Sequence, residues 1–142
     1  MFRFIIAVLG SFMLMQSAFA EAPRPEIAQY VKGYTGGEGV QVWTLRIGPK
    51  EDNESLVQVV NVDNAMDKKI IRCKMQPASG GATSYKTEID GKSWELLRVK
   101  DGSGELYLPG ESSSTWVAYD RSLSQEGNAE HFLTDYLAQE GK

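Results

Sequence analysis

Apolar and polar positions alternate with a period of two along most of the chain between residues 40 and 119, a spacing typical of β-strands. In the run 40–47, Trp43, Leu45 and Ile47 share one face. The run 56–62 is apolar on both faces, which predicts a strand covered on both sides. Further strands are predicted at 71–75, 85–89, 92–96, 105–108 and 115–119.

The pair Asp90-Gly91 is the strongest local signal, because it separates two alternating runs. An Asp-Gly pair in that position predicts a two-residue type I′ hairpin, since glycine tolerates the positive φ that the turn demands. A two-residue loop would pair Ile89 with Lys92, Thr87 with Trp94 and Tyr85 with Leu96. Tyr85, Trp94 and Leu96 would then lie together on one face.

Two segments outside the predicted strands, residues 25–34 and 128–137, have helical spacing. Asn128 is a suitable N-cap, and residues 132, 133, 136 and 137 are apolar on one face, which predicts a C-terminal helix. Residues 25–34 favour a short N-terminal helix, with Pro25 in its first turn. The pattern predicts a mainly β (α+β) fold of six to seven short antiparallel strands, arranged as a barrel or a sandwich.

Residues 1–20 have the three parts of a cleavable export signal: Arg3 near the start, an apolar centre, and the small-x-small exit that ends at Ala18 and Ala20. The apolar run is too short to span a membrane. Cleavage before Glu21 would leave residues 21–142 as a single small β-rich domain, and the short signal with a single cysteine favours bacterial export to the periplasm.

The chain is acidic, with a formal net charge of −4, and removal of Arg3 with the signal makes the mature protein one unit more negative. No basic run is present, so neither nucleic acid nor an anionic membrane surface is expected as a partner. Cys73 is the only cysteine, which excludes an internal disulfide. We expect no cofactor, and the oligomeric state stays open.

No motif in the sequence indicates a metal site. His131 is the only histidine, so a zinc set of nitrogen and sulfur ligands is excluded. The oxygen donors between Asn61 and Asp67 do not fit a calcium-binding EF-hand loop, because Met66 and Arg72 stand where glycine and glutamate are required. Turn formation accounts for these residues more simply.

Catalytic patterns are also weak, although a small hydrolase stays open as an alternative. Cys73 and His131 could meet in space, but Cys73 is in phase with the apolar residues of its strand, as expected for a buried thiol. Paired carboxylates would need a geometry that the sequence does not give. The glycine-rich segments 36–39 and 79–81 both precede predicted strands rather than helices, so neither is expected to be a phosphate-binding loop.

Three aromatic residues are the candidate binding residues: Tyr107, Trp116 and Tyr119. Each lies in a run that is apolar on both faces, so one face is either covered or offered to a partner. Aromatic residues are enriched at binding hot spots. The simpler alternative is that they fill a two-sided core beneath the C-terminal helix.

In size, predicted signal and strand-rich pattern the chain resembles small periplasmic inhibitors of lysozyme and immunity proteins against secreted toxins. The resemblance is one of format and implies no site residues. From the sequence we expect an exported, non-catalytic binding or accessory module of the inhibitor or immunity type, acting on another envelope protein. A small periplasmic hydrolase and a carrier of a small apolar ligand are the alternatives.

Overall fold

A computed structural model describes residues 24–142. The predicted signal, with Ala18, Ala20 and Glu21, lies outside the described residues. The strands are β1 (Lys32–Gly36), β2 (Gln41–Arg46), β3 (Glu54–Val60), β4 (Ile70–Pro77), β5 (Thr83–Ile89), β6 (Lys92–Lys100), β7 (Ser103–Leu106) and β8 (Thr115–Tyr119). Two helices follow, α1 (Arg121–Glu126) and α2 (Ala129–Gln139).

The eight strands form a closed barrel in which each strand is antiparallel to its neighbours along the chain. β8 returns to pair with β1, for example at Thr35 and Ala118. Short connections favour this meander because an antiparallel hairpin needs only a few residues. The mainly β prediction with a C-terminal helix is confirmed, and the fold is a barrel rather than a sandwich.

The N-terminal helix predicted over residues 25–34 is wrong. Ile27 instead forms a β-bridge with Ile47, the Ala28 amide donates to the carbonyl of Arg46, and Lys32 begins β1. Without β1 the facing edges of β2 and β8 would be unpaired. Closure of the barrel therefore outweighs the helical spacing of a short segment.

The barrel interior is filled by side chains. An eight-stranded barrel is just wide enough for its own side chains or one small ligand. Here the inward residues form one buried cluster, in which Val42, Val57, Leu97, Leu106 and Val117 are fully covered. This packing gives no support to a ligand carried inside the barrel.

Helix α2 covers the outer face of β2, β3 and β4. Leu133 of the helix is buried in a second cluster with Leu45, Leu56 and Ile70. The side-chain amide of Gln139 also donates to the carbonyl of Ile70 (2.8 Å) and accepts from its amide (2.9 Å). The two-sided character predicted for β3 is confirmed, because Leu56 packs under the helix while its neighbours face the interior.

The Asp90-Gly91 hairpin is confirmed, with φ of 52° and 76° at the two loop residues. Residues 89 and 87 pair with 92 and 94 as predicted. The expected pairing of Tyr85 with Leu96 is wrong: a bulge shifts the register, and Tyr85 pairs with Leu97. Leu96 and Leu97 are both buried in the interior cluster. A bulge lets a strand deliver one extra side chain to the core.

The C-terminal helix begins as predicted. The side chain of Asn128 accepts a hydrogen bond from the amide of His131 (3.0 Å), which satisfies a free donor of the first helical turn. Helix α1 was not predicted, and Asp120 caps it in the same manner through the amide of Leu123 (2.9 Å). No helix within residues 24–142 is long and apolar enough to cross a membrane.

Candidate functional site

The three candidate aromatic residues lie in different surroundings. Trp116 points outward from β8 and is 62% exposed, whereas its neighbour Val117 faces the interior. Tyr107 is half-buried on the outer side of the segment that follows β7. Tyr119 is 45% exposed. None of the three lies beneath the C-terminal helix, so the predicted two-sided core forms elsewhere, under α2.

Trp116 ends a row of outward side chains that crosses four strands, which we call the tryptophan row. Strand register places Trp116 opposite Glu105, Glu105 opposite Arg98, and Arg98 opposite Ser84. The Tyr107 hydroxyl donates to Glu105 Oε2 over 2.6 Å. The row therefore combines an exposed indole with polar groups that bind one another.

Both charged residues of the tryptophan row have a partner beside the row: Glu105 accepts from Tyr107, and Arg98 pairs with Glu95 of β6. Arg98 donates from Nη2 to Glu95 Oε2 (3.1 Å), and Ser84 donates to the same carboxylate. Burial acts to raise the pKa of Glu95, but the hydrogen bonds from Ser84 and Arg98 outweigh it, so the pKa is lowered. This carboxylate is held ionised and bound to its neighbours.

Tyr119 lies at a different site, where β8 runs into α1. It pairs across the strands with Tyr34, and the two rings meet edge to face with centroids 5.9 Å apart. Tyr34 is buried and belongs to the interior cluster. Aromatic rings favour edge-to-face contacts of this kind over face-to-face stacking. The buried ring therefore fixes the orientation of the exposed one.

Beside Tyr119 runs a surface groove of about 550 Å³ between the N-terminal segment and α1. We call it the tyrosine groove. Its lining comprises Gln29, Tyr30, Val31, Lys32, Tyr119, Arg121, Ser124, Gln125 and Gly127. Tyr30 is the most exposed large hydrophobic residue that the structure describes, at 74%. The volume lies within the range of about 300–1,000 Å³ typical of ligand pockets.

Contacts at both ends fix the N-terminal wall of the tyrosine groove. On one side, Arg24 Nη2 donates to Thr134 Oγ1 (3.0 Å) and to the carbonyl of Glu130 (3.2 Å) on α2. On the other, the bridge between Ile27 and Ile47 ties the segment to the end of β2. Tyr30 is thus exposed on a tethered backbone rather than on a free terminus.

The opposite wall is fixed through α1. The Ser124 hydroxyl accepts a hydrogen bond from the amide of Gly33 (2.8 Å) and donates one to the carbonyl of Asp120 (2.7 Å). Gly127, between the two helices, lies so close to Val31 that an added Cβ would come within 2.1 Å of Val31 Cγ2. Contacts within the protein therefore hold both walls of the groove in place.

Cys73 and His131 are not brought together. Cys73 is buried in the barrel interior, and burial raises the pKa of its thiol to about 12. His131 is exposed on α2, which packs on the outside of the barrel. Because a reactive cysteine needs an accessible thiolate, this pair does not form a nucleophilic site.

A polar cleft of about 450 Å³ beside β4 also gives little support to a hydrolase. Its carboxylate Glu54 pairs with Arg72 and with Lys74 (3.5 Å). The hydrogen bond from Arg72 lowers the pKa of Glu54. A carboxyl group that acts as a general acid needs the opposite shift.

The oxygen donors between residues 61 and 67 take part in turn hydrogen bonds. Asp67 Oδ1 accepts from the amide of Val62 (3.3 Å), and Asn64 Oδ1 accepts from that of Met66 (3.0 Å). The Asn61 side chain donates to the carbonyl of Gly39 (2.9 Å). Within residues 24–142 no group of three or more histidine, cysteine, aspartate or glutamate side chains could hold a metal ion.

The sequence pointed to Tyr119 but missed Tyr30, Lys32 and Arg121. The sequence predicts a helix over residues 25–34 that includes both Tyr30 and Lys32, and this helix does not form. Arg121 begins a helix whose only local signal was the cap at Asp120. The groove arises because barrel closure brings β1 beside β8, a contact between segments about 85 residues apart.

Comparison with protein-family models, with curated protein sequences and with solved structures found no match for this chain.

Proposed function

We propose that the protein is an exported, periplasmic and non-catalytic binding module that acts on another envelope protein through the tyrosine groove. The observation that carries the proposal is the exposure of Tyr30 and Tyr119 at one preformed groove. Exposed aromatic rings on a rigid frame are typical of binding hot spots, because they contribute a large contact area and lose little conformational freedom.

Export is supported by the signal pattern of residues 1–20. A direct test is to express the full chain in a Gram-negative host and to measure the mass of the protein released by osmotic shock. We expect a mature chain that begins at Glu21. Recovery of the uncleaved chain in the cytoplasm would contradict the localisation.

Partner binding is tested by capture from periplasmic extract on the immobilised chain 21–142, followed by mass spectrometry. We expect one partner in stoichiometric amount, and we expect its recovery to fall at least several-fold with Tyr30→Ala. Tyr30 is mostly exposed, so this substitution should leave the thermal midpoint unchanged. A loss of binding then reports on contact rather than on folding.

Two controls separate binding from catalysis and from binding at other faces. Cys73→Ala together with His131→Ala should retain the partner, whereas a hydrolase that used this pair would lose its activity. Trp116→Ala removes another mostly exposed aromatic residue, this one from the tryptophan row. If the tryptophan variant loses the partner and Tyr30→Ala retains it, the tyrosine groove is the wrong surface.

A further inference from the structure

The charges around the tyrosine groove differ from those of the rest of the chain. Two cations, Lys32 and Arg121, line the groove, and its lining includes no aspartate or glutamate. The whole chain carries a net charge of −4. A local cationic site on an acidic protein attracts anionic groups. It repels the cationic groups that the remaining acidic surface would attract.

Arg121 is not accounted for by contacts within the described fold. Residues 24–142 contain five arginines, and four of them form ion pairs: Arg24 with Glu130, Arg46 with Glu26, Arg72 with Glu54, and Arg98 with Glu95. In the same part of the chain Arg121 has no carboxylate within ion-pair distance. Within residues 24–142 no ion pair neutralises its charge.

The position of Arg121 in α1 also argues against a role in helix stability. It is the first residue of the helix, where acidic side chains are preferred and a cation is slightly unfavourable. The neighbouring carboxylate of Asp120 accepts from the amide of Leu123 (2.9 Å) as the helix cap. Asp120 is thereby held by α1 itself.

We propose that the tyrosine groove receives an acidic segment of the partner protein, with carboxylates at Lys32 and Arg121 and an apolar side chain between Tyr30 and Tyr119. This inference rests on the proposed function and names the chemistry of the partner. The tyrosine rings supply apolar contact, and their hydroxyl groups can donate to the same carboxylates. Binding should weaken with rising salt, because the two cations are exposed to solvent.

The test uses a phage-displayed library of random octapeptides, selected on the mature chain and on the variant K32E/R121E. The control variant K69E/K92E changes the net charge by the same amount at exposed lysines that do not line the groove. Peptides enriched on the wild-type chain should be rich in aspartate and glutamate beside aromatic or aliphatic residues. We expect K69E/K92E to enrich the same sequences and K32E/R121E to lose them.

Affinities of the enriched peptides are then measured by fluorescence polarisation. We expect K32E/R121E to bind at least about tenfold more weakly, since two attractive contacts become repulsive. Enriched peptides without an excess of acidic residues, no enrichment over K32E/R121E, or equal loss in K69E/K92E would each overturn the proposal. Dimerisation in sedimentation velocity that K32E/R121E abolishes would also overturn it, because the occupant would be a second copy.

The capture experiment keeps the two proposals distinguishable. If an envelope partner is captured equally by the wild-type chain and by K32E/R121E, the acidic segment is refuted while the binding function stands. If no stoichiometric partner is captured by either protein, the proposed function itself fails.

Discussion

Gly127 gives the sharpest test of how the helices pack against the barrel, because replacing it with alanine should reverse the usual effect of the change. At φ −75° and ψ 154° its backbone suits any residue. Gly→Ala at such a site ordinarily stabilises by about 0.4–1 kcal/mol, through the lower entropy of the unfolded chain. Here the new Cβ would lie 2.1 Å from Val31 Cγ2 and 2.9 Å from Trp43 Cζ3.

Contacts this short force the surrounding side chains to move, and overpacking of this kind costs about 1–3 kcal/mol. Once the entropic gain is subtracted from this cost, we expect Gly127→Ala to lower the free energy of unfolding by about 0–2.6 kcal/mol, with a central value of about 1.3 kcal/mol. Gly37→Ala is the matched control, because nothing lies within 4 Å of its added Cβ. That variant should be as stable as the wild type or slightly more so.

The assay is urea unfolding followed by circular dichroism, with linear extrapolation to water. A double-mutant cycle with Val31→Ala identifies the clashing contact. The double variant should lose less stability than the sum of the single variants, with a coupling of at least about 0.5 kcal/mol. A Gly127→Ala variant that is no less stable than Gly37→Ala would refute the close packing of the linker between α1 and α2.

Three further predictions concern the core and its buried titratable groups. Leu133 is buried, so Leu133→Ala should lower the free energy of unfolding by about 2–5 kcal/mol. Leu137→Ala, at a half-buried position, should lower it by clearly less. Equal losses in urea titrations would contradict the described packing of α2 against the barrel. The Cys73 thiol should resist a disulfide reagent at pH 8 in the native protein and react fully in urea, because burial raises its pKa to about 12; fast native labelling would contradict this. Burial also raises the pKa of Tyr34 to about 12. As pH rises, Cys73 and Tyr34 therefore lose their protons in the unfolded chain at a lower pH than in the folded protein. The free energy of unfolding should consequently fall from about pH 9 to pH 12. Tyr34→Phe should reduce that fall above about pH 10, and an unchanged slope would be the contrary result.

Alternation along the chain was sufficient to predict seven of the eight strands and the C-terminal helix, because each depends on a pattern within a short segment. The Asp90-Gly91 turn gave its own register correctly as far as Trp94. Beyond that point a bulge delivers Leu96 and Leu97 to the same core. No local pattern distinguishes such a bulge from a regular strand, since both leucines are apolar.

The first strand was missed because its stability comes from its partners rather than from its own residues. The spacing of Ile27, Tyr30 and Val31 suits a helix, yet pairing with β2 and β8 closes the barrel. The tyrosine groove depends on that closure. Tyr119 could be named as a candidate from its own strand, whereas Tyr30 and Lys32 could not be placed beside it until the position of β1 was known.

The central claim is that the tyrosine groove is the surface through which this protein binds another envelope protein. It is tested most directly by the amount of partner that Tyr30→Ala captures from periplasmic extract relative to Trp116→Ala, with both variants shown to be folded by their thermal midpoints. We expect the tryptophan variant to capture as much partner as the wild-type chain and the tyrosine variant to capture several-fold less. Equal capture by the wild-type chain and Tyr30→Ala would contradict the claim.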